Sequence, residues 1–250
     1  MTNADHDAAP VGRKPARQPL SRAAILTAAL DLVLREGFDA LTMRGLAAAL
    51  GVRAMTLYTY YRGRDELVAA LLDELLGTIA VPPDDGAGWQ EQLRRLARAH
   101  RAMLHRVPSA IPYLLAVPMT GPHAARFGER VLGVLHRAGF AGEVAVDSFF
   151  TLLALNYGFA GFETQRQQRS TPGEPQAERI RRSQIALAFL PEEEFPLTVA
   201  LARPLARFAT TDAQYAFALD ALLAGIAPRG DAPHVRASER VAPATDAAPA

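Results

Sequence analysis

Three tyrosines stand within four positions at Tyr58, Tyr60 and Tyr61, and Arg62 and Arg64 follow closely. Thr56 and Thr59 add hydroxyls to the same stretch, and Arg53 precedes it. Guanidinium groups beside hydroxyls and aromatic faces are the chemistry of a polyanion-binding surface, where cations pair with phosphate oxygens and the other side chains read what lies between. Helical spacing sorts the stretch. Leu57 and Tyr61 lie about one turn apart and are expected to pack inward on Leu46 and Leu50. Ala54, Met55, Tyr58 and Thr59 fall on another face, suited to entering a major groove, and Tyr60 lies to one side with its hydroxyl available to a phosphate. Arg44 upstream and Arg62 and Arg64 downstream are placed to bind the flanking backbone.

A second group of residues suggests a cavity. Pro108, Pro112 and Pro118 fall so close together that a helix there must be short and kinked, which leaves space for Tyr113, beside Met103 and Leu104, to line. Asn156 is a lone amide in an apolar run and needs a partner, either a ligand or a backbone carbonyl. His100 and His105 are five apart in one expected helix, so they do not share a face, and no metal site is expected. The chain has no cysteine, which excludes disulfides, cysteine–zinc sites and thiol catalysis and suits a cytoplasmic protein. No GxSxG, HExxH, phosphate loop or paired-carboxylate spacing is present, so neither an enzyme nor a cofactor is expected.

Periodicity is helical nearly throughout and the expected fold class is all-α. Ser21 and Thr42 read as N-caps, and Gly37 and Gly51 as stops. Helices are expected from Ser21 to Gly37, over Thr42–Leu50 and Arg53–Tyr61, and over 65–78, where Asp65 and Glu66 suit the first turn. Two short helices joined by a tight glycine turn have the proportions of a helix-turn-helix, so residues 20–80 read as a head with a connecting helix. "VPPDDGAG", residues 81–88, reads as the boundary, and residues 89–228 as a larger helical body with helices near 89–106, 121–138, 143–165, 179–188 and 212–226. Residues 165–178 read as a long polar loop. Residues 1–19, a basic leader, and 229–250 read as disordered tails. Residues 1–64 hold nine Lys/Arg against five Asp/Glu, a surplus of four cations, on a chain of net charge +1. A basic head on a near-neutral body is the result. No apolar run reads as long enough for a membrane helix, and no membrane partner is expected.

Residues 148–163 are apolar nearly all round and must be buried on every side. Phe150, Ala154, Tyr157 and Gly161 form one stripe at spacings of four, three and four, and residues 215–226 supply a second helix through Leu219, Leu222 and Leu223. Two copies of this pair are expected to form a four-helix homodimer interface.

The head also resembles a known family. "FDALTMRGLAAALGV", "TLYTYY" and "RDEL" together resemble the DNA-binding domain of tetracycline-repressor (TetR) family regulators over about residues 21–71. "WQEQLRRLARAHRAML" and "RVLGVLHRAGF" look similar to the C-terminal domain of the tetracycline repressors themselves. The resemblance implies a homodimeric repressor that leaves a palindromic double-stranded DNA operator when its body binds a small-molecule effector; activation by the same fold is the alternative. By matching position it implies Arg44, Arg53, Ala54, Met55, Thr56, Tyr58, Thr59, Tyr60 and Arg64 as DNA-facing, with Thr42 in the same set. It also implies His100 as a pocket-lining residue, alongside Met103, Leu104, Tyr113 and Asn156. The chain departs from the tetracycline repressors at Ala54 and Met55, so its operator differs. It also carries Leu96 in place of a drug-contacting asparagine and no imidazole around Ile111–Tyr113, so a magnesium-chelated tetracycline is not the expected effector. A largely apolar ligand is.

Overall fold

Ser21 Oγ accepts from the Ala24 amide at 3.1 Å and opens α1 (Arg22–Glu36), which buries Ile25, Ala29, Leu32 and Val33. Gly37, at φ 83°, lets the chain leave that helix into a single 3-10 turn, Phe38–Ala40. Thr42 Oγ1 accepts from the Gly45 amide at 3.0 Å and starts α2 (Met43–Leu50), which Gly51 ends in the left-handed conformation at φ 66°, ψ 34°. The next helix, α3, covers only Ala54–Tyr58, shorter than the expected 53–61. Residues 59–61 turn out of it, although the Tyr60 and Tyr61 amides still bond to the Leu57 carbonyl at 3.0 Å. In α4 (Arg64–Gly77) Leu67, Val68, Leu71, Leu72, Leu75 and Leu76 are buried.

The computed structural model describes residues 20–116, 121–140, 142–168, 174–207 and 212–226, and the expectations for both tails lie outside them. After α4 come α5 (Trp89–Arg106), α6 (Ile111–Ala116), α7 (Pro122–Arg137), α8 (Gly142–Gln168), α9 (Gln176–Ala188), α10 (Pro196–Ala200), α11 (Ala202–Ala206) and α12 (Asp212–Gly225). The described residues contain no strand. Helix α8 runs past the expected end at Gln165, so the polar loop is shorter than the sequence suggests. Its Gly142–Arg166 stretch is, by length and composition, apolar enough to cross a membrane, contrary to the expectation that no run is. Ser148 and Asn156 are buried within it and α12 packs against it.

The chain divides into two units. One comprises the described residues up to 81 with 98–128, the other 82–97 with the described residues from 129 onward. The first therefore holds residues 98–128, which the sequence reading places in the body.

In the first unit, one carboxylate fixes where α7 begins. Asp73 of α4 accepts from the His123 amide at 3.1 Å and the Ala124 amide at 2.9 Å, covering two donors that the helix start leaves open. Gly121 makes room for it, since a Cβ there would lie 2.1 Å from Asp73 Cγ. Gly121→Ala is expected to push Asp73 off the α7 start and lower stability by about 1–2 kcal/mol, the cost of losing a cap. Urea denaturation beside Asp73→Ala checks it, since the two losses should not add.

In the second unit the 82–88 connector is clasped by ion pairs. Asp84 meets Arg130 at 3.1 Å and Arg137 at 2.9 Å, while Asp85 meets Arg95 at 2.6 Å, and Arg95 also reaches Glu91 at 3.0 Å. Trp89 packs edge-on against Phe140, with ring centroids 5.1 Å apart.

Candidate nucleic-acid interface

The short α3 is held from behind. Leu57 is fully buried and Tyr61 is 1% exposed, with the Arg22 guanidinium 4.2 Å over the Tyr61 ring. Arg22 also donates to the Tyr60 carbonyl and to Glu66 Oε1, and Glu66 Oε2 accepts from the Arg62 amide at 2.7 Å. That amide, and then Arg22, holds the Glu66 carboxyl below its usual range. The partners of Arg22 lie 38 and 44 residues away, a separation that no local pattern signals.

The outward face carries Met55, 73% exposed, and Tyr58, 44% exposed, with Arg44, Arg53 and Thr59 also exposed and Ala54 and Thr56 half-buried. Arg53 is the N-cap of α3 in extended conformation. The Thr59 hydroxyl donates to the Thr56 carbonyl at 2.7 Å, which leaves its oxygen able to accept. Thr42 is exposed and its oxygen caps α2. The exposed face of α3 thus combines an aromatic hydroxyl and a thioether with two cations near it in sequence.

Two residues expected to face DNA have their polar groups engaged within the fold. The Tyr60 hydroxyl donates to the Leu20 carbonyl at 2.8 Å, so its proton is engaged by the chain itself. Arg64 is half-buried; its Nε donates to the Leu41 carbonyl at 3.0 Å and its Nη2 to the Phe38 carbonyl at 3.3 Å and to the Tyr113 hydroxyl at 3.0 Å. Three acceptors inside the fold hold this cation in place.

Of the expected ligand residues, His100, Met103, Leu104 and Tyr113 lie in the first unit and Asn156 in the second. Tyr113 stacks on Phe38 at 5.0 Å, a packing role rather than a cavity one. Met103 and Leu104 are buried at 1% and 0% exposure, and the His100 ring lies 5.4 Å from that of Phe127. Burial pushes the His100 pKa down to about 4, so the ring is neutral near pH 7. Asn156 belongs to the other unit, where Nδ2 donates to the Ala97 carbonyl at 3.0 Å and Oδ1 accepts from the Tyr215 hydroxyl at 2.7 Å. Of its two expected partners, ligand or backbone, it takes the backbone. A shallow cleft in the second unit is lined by Pro82, Pro83, Gln92, Arg95, Leu96 and Arg130. Of these the sequence reading marks only Leu96, as a departure.

The expected self-association stripe divides as well. Phe150 is 60% exposed and Ala154 is exposed, while Tyr157, Gly161 and Leu222 are half-buried. Leu219 and Leu223 are buried within the single chain, so they serve the packing of α12 rather than an open face. Exposed aromatic residues that the sequence does not single out include Phe189, 84% exposed, and Phe217, 77% exposed.

Residues 25–71 match the family model described as bacterial regulatory proteins, tetR family, and residues 82–229 match the tetracyclin repressor-like C-terminal domain. The HTH-type transcriptional repressor DrrR1 of Streptomyces coeruleorubidus is 30% identical over 161 residues, covering 63% of this chain and 60% of that protein. The class C tetracycline repressor protein of Escherichia coli is 28% identical, covering 64% of this chain and 72% of that one. The matched region spans only about half of several other curated relatives, among them a transcriptional regulator of Saccharopolyspora erythraea, of which it covers 51%. Among solved structures, Streptomyces coelicolor ActR in complex with actinorhodin superposes with a TM-score of 0.74 at 28% identity, covering 84% of this chain and 96% of that one.

Proposed function

The chain belongs to the tetracycline-repressor (TetR) family of transcriptional regulators, and we propose that it is a homodimeric, cytoplasmic repressor released from a palindromic operator by a small-molecule effector. One observation carries the DNA-reading part. The stop at Gly51 and the cap at Thr42 present α3 with Leu57 and Tyr61 inward and Met55 and Tyr58 outward, beside Arg44 and Arg53. Tyr58 and Met55 read base edges and the thymine methyl, Arg44 and Arg53 bind phosphate, and a two-fold axis places the half-sites whole helical turns of roughly 34–36 Å apart.

The effector part rests on kinship. ActR is solved with actinorhodin and with (S)-DNPA, so the closest chemical expectation for the effector is a comparable organic molecule held in the helical body. The dimer part rests on Phe150 and Phe217, aromatic side chains exposed on α8 and α12 of the single chain.

Selection of bound sequences from random duplex DNA tests the reading, with an Arg44→Ala, Tyr58→Ala variant in parallel. The wild-type chain should enrich a palindrome, and the variant should bind it about a hundredfold more weakly, having lost one phosphate and one base contact. Absence of a palindrome at low salt, or equal enrichment by the variant, would sink the assignment.

A further inference from the structure

Arg64 and Tyr113, which the sequence assigns to DNA and to a cavity, meet each other in the fold. Arg64 is the first residue of α4, where a positive charge opposes the helix dipole. Its placement there is offset by acceptors: the Leu41 and Phe38 carbonyls and the Tyr113 hydroxyl. The Tyr113 ring stacks on Phe38 at an interplanar angle of 30°, and the Arg64 guanidinium lies 5.4 Å from its centroid. From the same side, Ser109 Oγ accepts from the Phe38 amide at 3.1 Å. Gly37 brings the backbone so near that a Cβ would stand 3.2 Å from that oxygen. All these contacts converge on residues 37–41, the joint between α1 and the helix-turn-helix pair α2–α3.

We propose that Arg64, Phe38, Ser109 and Tyr113 form a latch that holds the reading helices in one orientation on the Pro108–Ala116 segment and so sets the half-site spacing that the protein accepts. This rests on the dimeric operator reading above. The four are positioning residues and touch no base. Two heads on one duplex must both fit, and each head that is loose beforehand loses that freedom on binding. A latched head avoids this loss at the correct spacing and tolerates a wrong spacing poorly.

The test uses the full chain, with Ser109→Ala and Tyr113→Phe combined, which removes two hydrogen bonds and keeps the Phe38 stack. Binding is measured to a single half-site, to the selected palindrome, and to that palindrome with two base pairs inserted at its centre. The variant should bind the half-site within about twofold of wild type, since α3 is untouched. Its preference for correct over altered spacing should shrink by about fivefold or more, the equivalent of one hydrogen bond. An unchanged preference, or half-site binding that falls as far as palindrome binding, would overturn the latch while leaving the repressor reading intact. A wild-type chain that binds the half-site and palindrome no better than random duplex overturns both, and the wild-type arm alone reveals it.

Discussion

Lowering the pH from 7.5 to 4 is expected to remove about 3 kcal/mol of folding stability through the single side chain of His100. Its folded pKa is about 4 because burial disfavours the charged ring, against an ordinary value of 6.5 in the unfolded chain. Above pH 6.5 neither state carries the proton and the residue contributes no pH dependence. Between 6.5 and 4 the unfolded chain takes up a proton that the folded one refuses, so stability falls steadily. Below 4 both states are charged and the decline from this residue stops. The chain has six histidines and 26 carboxylates, all contributing to any acid profile. The measurement is therefore a difference: urea midpoints of wild type and His100→Leu at pH 7.5, 5.5 and 4. The gap between the two proteins should close or invert toward acid. A gap that stays constant would show that His100 titrates normally.

Asn156→Ala is expected to cost the second unit about 3 kcal/mol. The side chain is 1% exposed and joins three helices: α8 carries it, α5 supplies the Ala97 carbonyl and α12 the Tyr215 hydroxyl. Truncation removes the donor to a buried carbonyl and the acceptor of a buried hydroxyl, and leaves a small void. Tyr215→Phe removes only one of these bonds and should cost about 1–2 kcal/mol. Because the pair shares a 2.7 Å bond, the double variant should fall short of the sum by about 1 kcal/mol. Chemical denaturation of the three variants gives the cycle. Strict additivity would mean that the two residues stabilise the fold independently.

What was legible in the sequence was local. Ser21, Thr42 and Gly51 announced their helix ends because caps and left-handed stops act within three or four residues, and each does so in the structure. Tyr61 could be assigned inward from its spacing to Leu57. Arg64 could not be placed, because its choice between phosphate and carbonyl was decided by Leu41 and Tyr113, 23 and 49 residues away. Leu219 and Leu223 sit in α12, which is apolar on most of its circumference, so periodicity gave no means of choosing the face toward α8. Helices α10 and α11 escaped notice because each is five residues long and carries a proline, at Pro196 and Pro204. Asn156 was recognised as needing a partner, and its two alternatives differed only in tertiary contact.

The exposed rings of Phe150 and Phe217 also bear on how gene control by this protein scales with its abundance. In the proposed homodimer the dimer population rises with the square of the concentration while monomers dominate. Operator occupancy then inherits that second-power dependence: halving the amount of chain in a cell cuts the reading species about fourfold in that regime. Shut-off of the target promoter would thus follow a threshold in protein level, set by the strength of pairing through helices far along the chain from the one that touches DNA.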